Sequence, residues 1–326
     1  MKSCKSLELT AIAPRCIIIA DTVPKDERRF MTRTKKVFTV ALLCITMLFA
    51  VAQPASAAAA PPRRELQYTK PITDTEVSHY PSVTLSINGV ALDERAYLIH
   101  ETTYIPLRAA ATLANANVTY TSMTRTATVS MPGLTLSATD GAYTVTANDR
   151  PLLAKTPVKI LSDGRMYIPV RSFAKIFSLE VTWHEGRHVS LDGKITPLSH
   201  AREFYREDEL YWLSRIISAE SRGEPLLGQV AVGTVVLSRV RSADYPNTIW
   251  GVIFDTRYGV QFSPVANGSI YQTPYYDSVV AAKICLEGTE IGEPVLFFLQ
   301  PEKSTSDWII KNRRYAYSIG NHYFFY

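Results

Sequence analysis

The sequence REDELYWLSRIISAES, residues 206–221, decides the fold of the C-terminal third of this 326-residue chain. Its first turn carries three acidic residues, which complement the positive end of a helix dipole. Leu210, Leu213 and Ile217 are spaced three and four apart, so a helix places them on one apolar stripe. Glu220 follows three positions later and ends that stripe with a carboxylate. If the helix end is packed and not frayed, the apolar setting raises the pKa of Glu220, as a general acid acting near neutral pH requires.

Two further helices and two strand regions are predicted after this helix. Residues 225–241 are apolar nearly all round and too long for a strand, which predicts a buried helix. A third helix is expected over residues 275–287. Residues 295–299 and 315–325 are short apolar runs typical of strands. The sequence therefore predicts an α+β protein whose C-terminal domain, residues 205–326, is mainly helical and ends in short strands.

A series of motifs over the same 120 residues resembles one protein family. They are ISAESRGEP (217–225), GQVAVGTVVLSRV (228–240), YPNTI (245–249), QFS (261–263), SDWI (306–309) and IGNHYF (319–324). Their order and content resemble the SleB-like spore cortex-lytic cell-wall hydrolases. The resemblance implies a small lysozyme-like domain that cuts the glycan strands of peptidoglycan. It also implies that the catalytic acid is the first Glu of the Ala-Glu-x-Arg-Gly-Glu-Pro motif, which maps to Glu220.

Glu224 is the other candidate acid in this motif. Gly223-Glu224-Pro225 has the composition of a helix start, where a carboxylate complements the helix dipole. We therefore favour Glu220 as the catalytic residue and expect Glu224 to cap the following helix. His322, which lies within the last of these motifs, is expected to be a structural hydrogen-bonding residue.

The number of catalytic carboxylates separates two reactions. Most glycosidases need an acid and a second carboxylate as base or nucleophile. Asp255, Asp277 and Asp307 could supply the second group, but each also fits a helix cap or a surface turn. A lytic transglycosylase needs only one acid/base, which the single carboxylate of the motif favours. Simple hydrolysis of the muramidase or glucosaminidase type remains the alternative.

Five residues are candidates for binding the sugar substrate. Amides and hydroxyls hydrogen-bond to sugar polar groups, and aromatic faces cover the apolar surfaces of sugar rings. On this basis we expect a substrate groove lined by Gln261, Phe262, Ser263, Tyr271 and Tyr275. For each tyrosine, ordinary packing with an exposed phenol is the alternative.

An internal repeat precedes the helical domain. Residues 104–109 (YIPLRA) recur 63 positions later as residues 167–172 (YIPVRS), and residues 118–120 (VTY) recur as residues 181–183 (VTW). Each copy predicts strands, a helix that begins after Pro, and a closing hairpin. The duplicated β/α module, residues 81–195, resembles the copper amine oxidase-like N-terminal domain of exported proteins, and the resemblance implies no copper here. We expect a binding or positioning module, with a structural spacer as the alternative.

A zinc-protease pattern also occurs in this module. Residues 184–188 read HEGRH, and the H-E-x-x-H chemistry needs a helix so that both histidines face one metal. The flanking residues alternate as strands do, and Gly186 stands where a hairpin would turn. We therefore interpret the pattern as a β-turn, with a zinc peptidase using His184 and His188 as a minor alternative.

Residues 1–57 have the features of a presequence. Two lysines precede an apolar run at residues 37–52, and small residues follow up to Ala57. This predicts a secretory signal peptide cleaved after Ala57, since the run is short for an uncleaved membrane anchor. The expected translation start is Met31, which gives a signal peptide of ordinary length. Residues 58–80 lack periodicity and are expected to be a linker.

Charge and cysteine content limit the partners of the exported part. The formal net charge of +5 comes from residues 1–57, and the rest carries equal numbers of basic and acidic residues. A neutral surface gives no electrostatic footprint for nucleic acid or anionic lipid. Only Cys285 lies outside the presequence, which predicts neither an internal disulfide nor a cysteine metal site. We expect no metal or cofactor, no membrane contact after cleavage, peptidoglycan glycan strands as the partner, and secretion to the cell wall or spore envelope.

Overall fold

A computed structural model of the protein describes residues 60–257, 259–304 and 306–326. The predicted signal peptide, its cleavage site and the proposed start at Met31 lie outside the described residues. In the part that is described, no helix is both long and apolar enough to cross a membrane.

The first half of the described chain is a β-rich module with two short helices. Its thirteen strands and two helices are β1 (Ser82–Ile87), β2 (Val90–Ala91), β3 (Ala96–Ile99), β4 (Thr102–Pro106), α1 (Leu107–Leu113), β5 (Asn117–Thr121), β6 (Thr126–Met131), β7 (Leu134–Thr139), β8 (Thr144–Ala147), β9 (Arg150–Leu153), β10 (Lys159–Ile160), β11 (Met166–Pro169), α2 (Val170–Phe177), β12 (Glu180–His184) and β13 (His188–Asp192).

These strands form two sheets. One has eight strands in the order β10-β11-β4-β3-β1-β13-β12, with β2 paired to β1, and the other is the meander β5-β6-β7-β8-β9. β4 and β11 pair antiparallel with Ile105 opposite Ile168, and each strand leads through a proline directly into a helix. The strand-helix-hairpin order agrees with the sequence expectation for each repeat. However, the hairpin after α1 lies in the meander, whereas the hairpin after α2 lies in the eight-stranded sheet.

The second half of the chain is mainly helical and ends in a small sheet. Its elements are α3 (Ala201–Phe204), α4 (Glu207–Ser221), α5 (Leu226–Arg241), α6 (Ile249–Ile253), α7 (Ser263–Asn267), α8 (Tyr276–Leu286), β14 (Phe297–Leu299), α9 (Trp308–Asn312), β15 (Tyr315–Ile319) and β16 (His322–Phe325). The three long helices and the strands match the predicted regions. The four short helices were not predicted, because helices of four or five residues are too short to show a 3.6-residue period.

The core of this half forms where α4, α5 and α8 pack together. Leu213 and Ile217, from the predicted apolar stripe, are fully buried, and α5 is buried along nearly its whole length. Cys285 is also buried in this core, where its thiol donates to the carbonyl of Val230 at 3.3 Å. Burial raises the pKa of that thiol, so Cys285 acts as a packed and unreactive side chain.

Part of the expected linker is attached to the C-terminal sheet. The Ser318 N–H donates to the Arg64 carbonyl at 2.8 Å, and the Leu66 N–H donates to the Ser318 carbonyl at 2.9 Å. Residues 63–66, here called the N-terminal strap, thus add an extended segment to the edge strand β15 in parallel orientation. Leu66 packs against the core of the helical half. Within the expected linker, the strap is therefore paired with the sheet through its backbone.

Candidate active site

Glu220 lies in the last turn of α4, at the end of the apolar stripe. Its side chain is largely buried, and no hydrogen bond or ion pair reaches it from any residue that the structure describes. Burial raises the pKa of Glu220 to about 7, and the positive charge of Arg239 opposes this shift only in part. The group is therefore half protonated near neutral pH and can both give and take a proton.

Glu220 faces a groove of about 630 Å³. The groove is bounded by the end of α4, by the segment that leads into α7, and by β14 with the loop that follows it. Of the described lining residues, Glu220 is the only carboxylate. The groove is also lined by polar, charged and aromatic side chains, among them Arg239, Gln261, Phe262, Ser263, Phe297, Gln300, Lys303, Trp308 and His322.

Arg239 supplies the buried cation of this groove. Its Nε donates to the Leu296 carbonyl at 2.8 Å, and its guanidinium lies 5.0 to 5.5 Å from the ring centres of Tyr245, Phe262 and Phe297. Burial lowers the pKa of Arg239, and its Nη1 has no hydrogen-bond partner within the described residues. Aromatic faces and one carbonyl neutralise this positive charge only in part. The Arg239 cation can therefore stabilise a negative charge on Glu220 through its electrostatic attraction. No sequence pattern pointed to Arg239, because a basic residue at the end of a helix is ordinarily a C-terminal dipole partner.

Glu224 holds the turn between β15 and β16. One carboxylate oxygen accepts from the Asn321 N–H at 2.8 Å and the other accepts from Asn321 Nδ2 at 3.0 Å. Pro225 occupies the N-cap position of α5, and no side chain caps that helix. The expectation that Glu224 caps α5 is therefore wrong. Its buried carboxylate finds its hydrogen-bond donors on a turn 97 residues further along the chain.

His322 follows that turn and lines the groove. Its side chain is 95% buried, and its Nδ1 lies 3.8 Å from Oε1 of Glu224. The imidazole ring also contacts the ring of Phe298 edge to face. Burial lowers the pKa of His322 and so favours the neutral ring, although the charge of Glu224 opposes the shift. Nδ1 has no hydrogen-bond partner inside the described ranges.

The five predicted substrate residues divide into two groups. Gln261, Phe262 and Ser263 line the groove with Glu220, but Phe262 is 97% buried and cannot offer its face to a sugar. Tyr271 and Tyr275 are exposed and do not line the groove. These two tyrosines are close to the motif in sequence, but they lie at the surface near Trp212 and Arg222, respectively.

Trp308 is the exposed aromatic residue that the groove does contain. It is 49% exposed, at the start of α9, and the Arg313 guanidinium lies 4.9 Å from its ring centre. Gln300 and Lys303, in the loop after β14, add an amide and a second cation to the same wall. Trp308 belongs to the SDWI motif, which could have marked it as a site residue. Gln300 and Lys303 belong to none of the family motifs.

The candidate second carboxylates lie outside the groove. Asp255 is buried in a two-pronged pair with Arg257, whose hydrogen bonds hold the pKa of Asp255 below its usual value. Asp277 stands in the first turn of α8, and Asp307 forms an ion pair with Lys311. None of the three is a lining residue.

The H-E-x-x-H stretch forms a β-hairpin, as expected. His184 and His188 pair across β12 and β13, with Gly186 in the turn. His184 Nε2 lies 2.9 Å from the Ser190 hydroxyl, and His188 bonds to hydroxyls of β1 through both ring nitrogens. In the described ranges, no three His, Cys, Asp or Glu side chains are close enough together to hold a metal ion.

The groove combines one protonatable carboxylic acid with amide, hydroxyl and exposed aromatic side chains, which is the side-chain set of a glycan-processing enzyme. Residues 223–325 match the Cell Wall Hydrolase family model, and residues 86–191 match the Copper amine oxidase N-terminal domain. The chain thus carries a cell wall hydrolase domain preceded by a copper amine oxidase N-terminal-like domain. Glu220 lies just before the first matched range, and Glu224 lies inside it.

Several curated relatives are similar over the hydrolase domain. A spore cortex-lytic enzyme of Bacillus cereus is 40% identical over 120 residues, which cover 37% of this chain and 45% of the relative. A spore cortex-lytic enzyme of Oceanobacillus iheyensis is 34% identical over 129 residues, covering 40% of this chain and 45% of the relative. The chain therefore spans less than half the length of these relatives. The solved catalytic domain of the germination-specific lytic transglycosylase SleB from Bacillus anthracis is 39% identical, covers 37% of this chain and 97% of that chain, and has a TM-score of 0.35.

Proposed function

We propose that the protein is an exported enzyme that cuts the glycan strands of peptidoglycan as a lytic transglycosylase, with Glu220 as its single acid/base. The observation that carries this proposal is the setting of Glu220. It is the one carboxylate among the described lining residues of the groove, and its pKa of about 7 suits a group that acts first as acid and then as base.

The reaction is balanced without water. The carboxylic acid of Glu220 donates its proton to the oxygen that links a muramyl residue to the next sugar, and the bond from the muramyl C1 to that oxygen breaks. The resulting carboxylate takes the proton of the muramyl C6 hydroxyl, whose oxygen bonds to C1 and closes a 1,6-anhydro ring. Glu220 ends the cycle protonated. The Arg239 cation stabilises the carboxylate that exists between the two proton transfers.

The relatives support the proposed substrate and location. Proteins named spore cortex-lytic enzymes are 34 to 40% identical to the hydrolase domain, which favours peptidoglycan of the spore cortex or cell wall as the substrate. We place the protein in the cell wall or spore envelope and assign export to a signal peptide that ends at Ala57. We further propose a lysozyme-like fold for residues 205–326 and a duplication as the origin of residues 81–195.

Simple hydrolysis is the main alternative. It requires a second carboxylate that activates water or attacks the sugar. Asp255 is held in its pair with Arg257, and neither Asp277 nor Asp307 lines the groove, so this alternative has less support. A non-catalytic wall-binding protein does not require a buried carboxylic acid, whereas Glu220 is buried and has a raised pKa. A zinc peptidase would need His184 and His188 on one helix face, whereas they form a cross-strand pair.

The products of digestion test the proposal. The full chain is incubated with purified spore cortex and with vegetative wall sacculi in heavy-oxygen water, and the fragments are analysed by mass. We expect muramyl ends that are lighter by one water, contain no heavy oxygen and are not reduced by borohydride. Reducible ends that carry heavy oxygen would establish hydrolysis, and an absence of fragments from both materials would refute the proposed function.

A further inference from the structure

Two clefts lie in the N-terminal module, away from the groove that contains Glu220. The first has a volume of about 400 Å³. The beginning of α1 (residues 106–109), Val118 and Tyr120 of β5, and residues 164–166 at the start of β11 line it. The two sides of this cleft therefore come from the two halves of the internal repeat.

The second cleft has the same construction. Its volume is about 660 Å³, and it is lined by residues 169–172 at the beginning of α2, by Val181 and Trp183 of β12, and by residues 101–103 at the start of β4. Each of these positions lies exactly 63 residues from its counterpart in the first cleft. In the first cleft, α1 and β5 of one half face the start of β11 in the other half. In the second cleft, α2 and β12 face the start of β4 in the same way.

The pairing of β4 with β11 explains this exchange. Ile105 lies opposite Ile168, and these two residues are themselves 63 apart. Tyr104 lies opposite Pro169, and the counterparts of these two residues in the other half also face each other. A local twofold axis therefore passes between Ile105 and Ile168 and relates the two clefts. The equivalence covers the helix start, the aromatic strand and the opposite strand start, whereas the other lining residues of the two clefts differ.

Each cleft contains an exposed aromatic ring and an exposed arginine. Tyr120 is 45% exposed and Trp183 is 50% exposed. Arg108 and Arg171 are exposed as well, and neither makes an ion pair with another described residue; Arg108 donates only to the Val118 carbonyl, at 3.2 Å. An aromatic face covers the apolar side of a sugar ring, and a guanidinium binds a carboxylate through two parallel hydrogen bonds.

One acidic residue completes each cleft. Glu94 lines the first cleft and Glu101 lines the second. Their carboxylates can accept hydrogen bonds from sugar hydroxyls. A ring, a cation and a hydrogen-bond acceptor together fit a sugar that carries a carboxylate. A phosphate polymer without sugar rings would leave the aromatic face unused.

We propose that the two clefts bind a wall glycan strand at two of its sugar units, each bearing a carboxylate on the sugar or on its attached peptide. The proposal rests on the proposed function, because it takes its ligand from the same polymer that the hydrolase domain would cut. A strand that occupies both clefts at once is held more tightly than by either cleft alone, since the second contact forms within the complex.

The test measures retention on insoluble wall. The full chain carrying Glu220→Gln is mixed with sacculi stripped of teichoic acid, so that binding is observed without digestion, and the bound fraction is measured by sedimentation. We expect Tyr120→Ala and Trp183→Ala each to weaken binding about threefold to tenfold, and the double variant to weaken it further, by at least tenfold. Met123→Ala is the matched control, because Met123 is 93% exposed in the same module but lines neither cleft.

The arginines provide a second, independent set of variants. Arg108→Gln with Arg171→Gln should weaken binding to native sacculi but not to sacculi whose carboxyl groups have been converted to amides. Arg95→Gln, at an exposed position outside both clefts, should have no effect. Thermal unfolding of each variant establishes that the fold is retained.

Three outcomes would overturn the proposal. They are equal binding of the double aromatic variant and its parent, equal binding of the arginine variants to native and amidated sacculi, and cleft-dependent binding only to walls that still carry teichoic acid. The last would assign the clefts to a phosphate polymer. Failure of the proposed function is seen separately, as an absence of cleavage of soluble glycan fragments by the unmodified chain.

Discussion

Arg150 of the N-terminal module binds Glu287 of the hydrolase domain through two parallel hydrogen bonds, from Nε to Oε1 at 2.7 Å and from Nη2 to Oε2 at 2.9 Å. Both side chains are at least 96% buried. Lys175 and Tyr205 also donate to the same carboxylate. Burial alone would raise the pKa of Glu287, but the hydrogen bonds from these three residues hold it below its usual value. The module and the hydrolase domain therefore share a buried ion pair.

Replacement of Glu287 by Gln should destabilise the protein by about 3 kcal/mol, because it leaves the buried Arg150 without a counter-charge. The free energy of unfolding in urea measures this. Glu290→Gln is the control, since Glu290 is exposed and pairs with Arg241 only at 3.6 Å. Because the folded-state pKa of Glu287 is lowered, its contribution is present above about pH 4 and is lost as the pH falls through the folded-state value. If the variant lost as much unfolding free energy relative to its parent at pH 3 as at pH 7, the ion pair would not be the source of the stability.

Glu220→Gln should slow glycan cleavage by a factor of roughly 10² to 10⁴, because it removes the transferable proton. The fold should be retained, since burial already disfavours the charged form of Glu220. Glu224→Gln should keep substantial activity but lose about 1 to 3 kcal/mol, because an amide nitrogen cannot accept from Asn321. Turnover of soluble glycan and urea unfolding separate the two effects. An active Glu220→Gln beside an inactive but stable Glu224→Gln would show the assignment to be wrong.

The value of kcat/KM should fall above about pH 7, where Glu220 loses its proton in the free enzyme. Arg239→Gln should move this alkaline limb to higher pH, because the Arg239 cation lowers the pKa of Glu220 and its loss lets that pKa rise. A purely structural role of Arg239 would lower the rate at every pH and leave the limb in place. The pH profiles of both proteins distinguish these cases.

Gly320→Ala should cost about 3 kcal/mol of stability, for two reasons. Gly320 has a φ of +58°, which side chains rarely adopt, and an added Cβ would collide with the Glu224 carboxylate that holds the turn. Gly186→Ala is the matched control, because Gly186 has a φ of +77° but open space around the added Cβ. The control should lose only the backbone part, about 1 to 2 kcal/mol. Equal losses in urea unfolding would exclude the collision.

Trp308→Ala should raise KM about threefold to tenfold with a smaller change in kcat, because the ring is the exposed aromatic surface of the groove. Trp250→Ala is the control. Trp250 is 54% exposed and packs on Phe254, but it does not line the groove. Initial rates over a range of glycan concentrations give both constants. A similar rise in KM for the two variants would remove Trp308 from the substrate site.

The sequence predicted those structural features that depend on local periodicity. The stripe that ends in Glu220 follows from helical spacing alone, and α4 has that spacing. Glu224 was assigned to the nearest helix start, whereas its hydrogen-bond partner Asn321 is distant in sequence. Tyr271 was grouped with the motif by proximity along the chain and lies elsewhere on the surface. Arg239 joins the groove only through packing between α5 and β14, a relationship that no local pattern encodes.

The N-terminal strap has a consequence for the order of folding. Arg64 and Leu66 bond to Ser318, so the hydrolase sheet includes two segments more than 250 residues apart. Contacts of such separation form late, because the intervening chain must first be brought together. A chain that emerges from its N-terminus would thus hold the strap unpaired until β15 and β16 appear. Since β16 also carries His322 into the groove that Glu220 lines, the edge of the sheet and one wall of the groove depend on the same C-terminal hairpin.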